Sequence, residues 1–407
     1  MQLEKTVALD DQKLLKRSSR MLVEHDHQGK QLPGCVVYMP LGECASSFTL
    51  EDAVCNHGFF MMAPNNWIPS TKTLQRPLRL ADSTTSLTVS ISQLSCQSLS
   101  LLVHGTDCLS SCDQQAIEAQ VARMLRISQK DEKDVQDFQS LHREARKRGF
   151  GRLFRSPTLF EDAVKSLLLC NCTFERTLKM AKALCALQQK FSQGLISLPT
   201  APTPKISKRK RRSKRDKPTE KSTGEGKLKI IPDHDDQVLG NFPNSRELAS
   251  LNEDILDKHC RLGYRARQIL GFARHVERGK FEQIKFEGCH DLASEEKILY
   301  GELKRIKGFG PFACANMLMC LGFYGKIPVD SETVRHVKEV HTDGTMVDEI
   351  YEKYAPFQCL AYWFELLDYY EKQFGKLSEL PKSAYGTVTG SRIEINGKKR
   401  QLHDFIS

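Results

Sequence analysis

No stretch of this 407-residue chain stays apolar for the roughly twenty residues that cross a bilayer, which argues against a membrane-spanning helix. Its first residues, MQLEKTVALDDQK, carry early acidic side chains and no apolar signal core, so neither secretion nor a typical transit peptide is expected. Without a secretory signal, the 14 scattered cysteines read as reduced thiols of an intracellular protein. Cys108-x-x-x-Cys112 and Cys170-x-Cys172 lack the second pair, or the histidines, that a structural zinc needs. No metal centre and no other cofactor is expected, and most of these cysteines read as small core hydrophobes.

Charge of one sign is scarce outside a single segment. The 60 basic and 50 acidic residues leave +10, and Lys205 to Lys217, KISKRKRRSKRDK, holds nine Lys or Arg against one Asp, which is +8 of it. The high pI is therefore a property of one run rather than of a basic surface. Pro199, Pro202 and Pro204 precede the run, and the polar mixture up to Lys227 cannot bury a core, so 199–232 reads as a disordered insertion. Such a run fits a nuclear import signal, or an extra nonspecific phosphate contact. A nuclear location is expected, with an organelle as the alternative.

The length suits two or three domains, and 40% hydrophobic content is enough for ordinary cores. Residues 1–30 read as a loose tail. Over 31–113 the signals are those of strands: Cys35 to Met39 is an apolar run, and Leu87 to Ile91 and Ser98 to Val103 alternate, with a capped short helix at Thr49 to Val54. From Gln114 apolar residues recur at three and four spacing. The predicted helices are Ala116 to Ile127, Val135 to Arg146, Leu159 to Leu169, Thr173 to Phe191, Ser245 to His259, Tyr264 to Arg278, Ser294 to Ile306, Pro311 to Phe323, Ser331 to Val340, Val347 to Tyr354 and Pro356 to Phe374. The expected fold class is α+β, a small β-rich domain followed by an all-helical domain over 114–375 that contains the insertion. Residues 376–407 read as a frayed tail.

The segment with most chemical content is Leu303 to Val334, LKRIKGFGPFACANMLMCLGFYGKIPVDSETV. Leu299, Leu303 and Ile306 end one helical pattern, Gly308 and Gly310 supply backbone freedom, and Pro311 suits the first position of the next helix. This is a helix-hairpin-helix. Its bare amides and the start of the second helix can point at one phosphate, and Lys307 adds a positive side chain. Further on, Ile327-Pro328-Val329 hold the backbone extended before Asp330, a single carboxylate in a fixed place. An Asp there is also a natural N-cap for a helix starting at Ser331 or Glu332.

A hairpin followed at this spacing by a Gly/Pro-rich segment and one Asp resembles the helix-hairpin-helix DNA glycosylases of base excision repair, in their oxoguanine and alkylpurine branch. The resemblance implies that Asp330 stabilises the sugar cation of a flipped nucleotide or activates water, while Lys307, Gly308, Phe309, Gly310 and Phe312 grip the strand. The implied partner is double-stranded DNA with an extruded damaged base, met by a monomer, and the implied sheet domain ahead of the helices matches the strand signals. Some members hold an iron–sulfur cluster on four cysteines after the catalytic Asp. Only Cys359 lies beyond Asp330 here.

Other positions follow from the same resemblance. In LLLCNCTFER, Leu167 to Arg176, Asn171 aligns with the residue that fills the vacated stack and Arg176 with one that contacts the orphaned base. The alternatives are that Asn171 caps the helix beginning near Thr173 and that Arg176 is an ordinary exposed charge. In LGYRAR, Leu262 to Arg267, Arg267 is expected at the orphaned base, with a plain surface arginine as the alternative. Candidates for a base pocket are Phe312, Tyr362 and Trp363, with Phe59, Phe60 and Trp67 as further aromatics that equally suit a core. Tyr362 and Leu366 replace the glutamine and phenylalanine with which oxoguanine enzymes hold their base, which puts that substrate in doubt. Bifunctional members carry a lysine four positions after the first hairpin glycine, where this chain has Phe312. A monofunctional glycosylase acting on an alkylated or oxidised base is the expectation, against a glycosylase with lyase activity or a DNA-binding protein that has lost catalysis.

Overall fold

The computed structural model describes residues 34–195, 239–279, 292–341 and 346–390. The tail expected over 1–30, the insertion with its basic run, and residues 391–407 lie outside the described residues. Five strands form one antiparallel sheet in the order β1-β5-β4-β3-β2, with β1 at Gly34–Pro40, β2 at Asn66–Ile68, β3 at Thr73–Arg79, β4 at Ser86–Gln93 and β5 at Ser98–His104. A short helix α1, Leu50–Val54, is capped by Thr49, whose side chain accepts from the Asp52 amide. Period-two alternation buries one face of the sheet, pairing Leu74 with Ile91, Arg76 with Val89, and Val89 with Val103 across the strands. β2 and β3 are additions to the strands predicted from the pattern. Arg76 and Pro77 hide the alternation of β3, and the strand tolerates Pro77 because β2 pairs only with Thr73, Leu74 and Gln75.

The rest of the described chain is helical, as the α+β expectation requires. The helices are α2 Ser111–Leu125, α3 Gln129–Leu141, α4 Arg143–Lys147, α5 Leu159–Leu169, α6 Phe174–Ser192, α7 Ser245–Ala249, α8 Glu253–Cys260, α9 Tyr264–Glu277, α10 Leu292–Arg305, α11 Pro311–Leu321, α12 Ser331–Val340, α13 Val347–Tyr351 and α14 Gln358–Phe374. No helix among them is long and apolar enough to cross a membrane.

Two predicted helices are in fact broken by polar caps. His142 ends α3 and starts α4, its Nδ1 accepting from the Ala145 amide at 3.1 Å. Asn252 opens α8 by accepting from the Ile255 amide at 2.9 Å, after α7 has stopped. The C-terminal segment needs a larger correction. Residues 376–390 are no frayed tail: Leu377, Leu380, Tyr385 and Val388 are buried, Trp67 Nε1 donates to the Ser378 carbonyl at 2.8 Å, and the Gly390 amide donates to Glu332 at 2.8 Å. The segment's apolar residues are too widely spaced for a helical pattern, so only tertiary contact reveals them.

Helix α11 lies at the centre, packed on α5 and α10 and buried along nearly its whole length. The Gly322 amide caps the Leu318 and Met319 carbonyls at its end, and two buried guanidiniums add donors there. Arg126 donates to the Met319 carbonyl at 2.7 Å and Arg155 to the Cys320 carbonyl at 2.6 Å, placing positive charge at the negative end of the helix. That anchorage fixes where the other end of α11, the hairpin, points.

Candidate active site

A cleft of about 800 Å³ opens between the sheet part and the helical part. Its walls come from the turn before α6, the first turns of α11 and α12, one face of α14, residues 56–59, and the C-terminal segment. Asp330 stands in it, exposed on the solvent side, as the N-cap of α12. The cap role open in the sequence is thus realised, and the residue still lines the cleft. Its Oδ1 accepts from the Thr333 amide at 2.9 Å and from Thr333 Oγ1 at 3.1 Å, while Oδ2 is engaged by no side chain among the described residues. Although the residue as a whole is exposed, the cleft walls desolvate the Asp330 carboxyl and push it above its ordinary value; the two Thr333 donors pull it back, the Glu332 charge adds to the push and the Glu332 amide opposes it. The result is a carboxylate anchored through Oδ1, with Oδ2 left without a side-chain partner among the described residues.

The hairpin adjoins this cleft through the first turn of α11. Gly308 has φ +105°, and a Cβ there would lie 3.0 Å from the Gln268 side chain, so only glycine lets α9 approach the turn this closely. Gly310 is the N-cap of α11 and Pro311 its first residue. The amides of Lys307, Gly308 and Gly310 donate to no backbone carbonyl among the described residues, which leaves them for an anion at the positive end of the helix. Lys307 is exposed beside them. Phe309 departs from its expected place on the strand: its ring is buried against Phe272 at 5.2 Å and its amide bonds the Ile306 carbonyl, so it anchors the hairpin from within. Phe312 projects into the cleft.

Asn171 also lines the cleft, at the tip of the turn between α5 and α6, with φ +48°. Thr173 takes the helix cap that Asn171 was one candidate for, its side chain accepting from the Arg176 amide. Asn171 is thus free of capping and exposed. Arg176 stands exposed in the first turn of α6 and is not among the residues lining the cleft. Arg267 is exposed on α9 with its Nε 3.8 Å from Glu253, and the structure does not bring it to Asn171. Its neighbours do that. The buried Arg265 donates to the carbonyls of Cys170 and Asn171, and Tyr264, 53% exposed, puts its hydroxyl 3.5 Å from Asn171 Nδ2. The residues of this segment that meet the Asn171 turn are therefore Tyr264 and Arg265 rather than Arg267.

Of the six aromatic candidates, Phe59, Phe312, Tyr362 and Trp363 line the cleft, and Phe60 and Trp67 belong to the core. Leu366 lines it as well. Several polar lining residues had not been singled out, three of them at the heart of the site. Thr333 is one. Asn316, 1% exposed, is the polar exception in the apolar run of α11, one turn after Phe312, and among the described residues its side chain makes one hydrogen bond, a 3.4 Å contact to the Phe312 carbonyl. His57 packs edge-on against Trp363 and Phe59 with ring centroids 4.5 and 4.6 Å apart. Burial, then the charges of Arg126 and Lys165, hold the His57 imidazole down at about 3, so it is neutral at physiological pH. Asn316 was findable as a lone amide among apolar residues; His57 had no sequence signal. No lysine lines the cleft among the described residues.

No model of a known protein family matches the sequence, and no curated protein matches it. Solved structures do match in fold. The 8-oxoguanine glycosylase/lyase of Clostridium acetobutylicum in its apo form aligns at 13% identity over 78% of this chain and 93% of its own, with a TM-score of 0.50. The 3-methyladenine DNA-glycosylase of Archaeoglobus fulgidus aligns at 15% identity over 82% of this chain and 98% of its own, also with a TM-score of 0.50. The sheet and the helical part, with the hairpin between α10 and α11, thus give this chain a fold shared with these two DNA glycosylases.

Proposed function

We propose that the chain is a monofunctional DNA glycosylase of base excision repair that removes an alkylated or oxidised base from double-stranded DNA. The observation that carries this reading is the placement of Asp330, half-held by Thr333, in an aromatic cleft that adjoins free hairpin amides. A flipped base would stack among Phe312, Tyr362 and Trp363, with the hairpin on a nearby phosphate and Asn171 in the vacated stack. As the N-glycosidic bond breaks, the ionised Asp330 stabilises positive charge at C1′. Water then gives its hydroxyl to C1′ and a proton to the departing base. Phe312 and the lack of a lysine among the described cleft residues support hydrolysis by water over attack by an amine. Arg176 and Arg267, both exposed, remain candidates for contact with the duplex. The chain is proposed to act as a monomer in the nucleus, addressed by Lys205 to Lys217.

The test is excision from duplexes carrying 3-methyladenine, 8-oxoguanine and related lesions, read before and after alkali. Wild type should release base and leave an abasic site that breaks only with alkali, and Asp330→Asn, which keeps the helix cap, should lower the rate at least about a hundredfold. Borohydride-trapped protein–DNA adducts would replace this reading with a lyase. A wild type that excises nothing, with Asp330→Asn binding DNA equally well, would leave only a binding protein.

A further inference from the structure

We propose that Thr333, itself held by Tyr362, is a positioning residue for Asp330, forming a hydrogen-bonded relay from the floor of the cleft to the carboxylate. This rests on the glycosylase reading of Asp330. Thr333 Oγ1 has four polar neighbours: the Asp330 amide at 3.3 Å, Pro328 O at 3.2 Å, Asp330 Oδ1 at 3.1 Å and the Tyr362 hydroxyl at 2.9 Å. A hydroxyl has one proton and two lone pairs. The amide can only donate. Tyr362 is 2% exposed, and Thr333 is the one hydrogen-bond partner of its hydroxyl among the described residues. Burial first, and then the nearby Asp330 and Glu332 charges, keep that phenol protonated, and with no other acceptor for its proton among the described residues it donates to Thr333. Both lone pairs of Thr333 are then filled, and its proton is left for Asp330 Oδ1 or Pro328 O.

Of the two, the carboxylate is the stronger acceptor, because the bond to it is charge-assisted. Oδ1 therefore takes the amide and the hydroxyl of the same residue, which fixes the plane of the carboxyl group and leaves Oδ2 for substrate. A capping box normally has Glu or Gln at the Thr333 position. A glutamate there would set a second charge against Asp330, whereas a threonine closes the box without one. Around the carboxylate, Glu332 faces it from α12, Cys170 from the turn before α6, and Tyr362 from α14. Glu332 is already tied to Arg335 at 2.8 Å and to the Tyr370 hydroxyl at 2.6 Å, so it does not compete for Thr333.

The experiment compares Thr333→Val, Thr333→Ser and Tyr362→Phe in the full chain. Single-turnover excision is followed across pH on whichever of the 3-methyladenine and 8-oxoguanine duplexes wild type processes faster, and the Asp330 carboxyl is titrated by NMR in the free protein. Thr333→Val should slow excision about tenfold at unchanged duplex affinity and move both the acid limb and the carboxyl titration to higher pH. Thr333→Ser should restore most of the rate and the original titration. Tyr362→Phe, which keeps the ring, should shift both a smaller way in the same direction. Equal titrations for Thr333→Val and Thr333→Ser would overturn the relay, and so would an unmoved titration in Tyr362→Phe if the valine variant fails to fold. The titration needs no turnover, so an inactive wild type would count against the glycosylase reading without deciding this one.

Discussion

Replacing Glu161 by glutamine would remove one negative charge from a junction that joins the sheet to the helices. Arg76 on β3 donates to both Glu161 oxygens, at 3.2 and 3.0 Å, and Lys165, one turn along α5 and 0% exposed, lies 2.8 Å from Oε1. Burial by itself would raise the Glu161 carboxyl, but Arg76 and then Lys165 reverse this and hold it at about 2 against an ordinary 4.5. At about 1.4 kcal/mol per pH unit, the difference is worth roughly 3 kcal/mol. Removing one partner of a buried ion pair costs about 3–5 kcal/mol by a separate line of reasoning, since here it leaves two buried cations with no carboxylate partner, only the rings of Phe59 and Phe242, the Asn65 side chain and the Pro77 carbonyl among the described residues. The two routes agree. Urea unfolding followed by circular dichroism should therefore show Glu161→Gln about 3 kcal/mol less stable at neutral pH. A depressed carboxyl stabilises fully above its unfolded value, and that contribution fades as pH falls through the folded one. The gap between variant and wild type should accordingly be constant above about pH 4.5 and close towards pH 2. A loss under 1 kcal/mol, or a gap that ignores pH, would refute the idea that this carboxylate is ionised and needed in the interior.

Gly308→Ala meets both a positive φ and the Gln268 side chain at 3.0 Å, so it should cost about 1–2 kcal/mol of stability and weaken duplex binding severalfold in fluorescence anisotropy. Unchanged affinity would mean that the hairpin does not grip the strand. Arg265→Met removes the donor that holds the Cys170 and Asn171 carbonyls, and it should reduce the preference for lesion over intact duplex severalfold while leaving affinity for intact duplex alone. Equal loss on both duplexes would point to a general DNA contact instead.

What could be read along the chain was whatever depends on near neighbours. Leu159–Leu169 and Ser331–Val340 have the helical bounds predicted for them, because their apolar spacing and the caps Thr158 and Asp330 act within one turn. The hairpin was equally visible, since Gly308, Gly310 and Pro311 owe their roles to backbone geometry alone. Asp330 was legible as a displayed acid, and its second identity as a cap proved compatible with the first. The wall that His57 contributes depends on how the sheet part docks on α14, through a ring contact across more than 300 positions, and no local pattern encodes that. Arg265 rather than Arg267 reaches the Asn171 turn because the rotation of α9 is set by packing, not by its sequence. Residues 376–390 carry too few and too scattered apolar side chains to look ordered, yet the carboxylates of Glu51 and Glu332 hold Ser378 and Gly390. Tertiary structure decided these placements, because each rests on a partner distant in the chain whose position only the assembled core supplies.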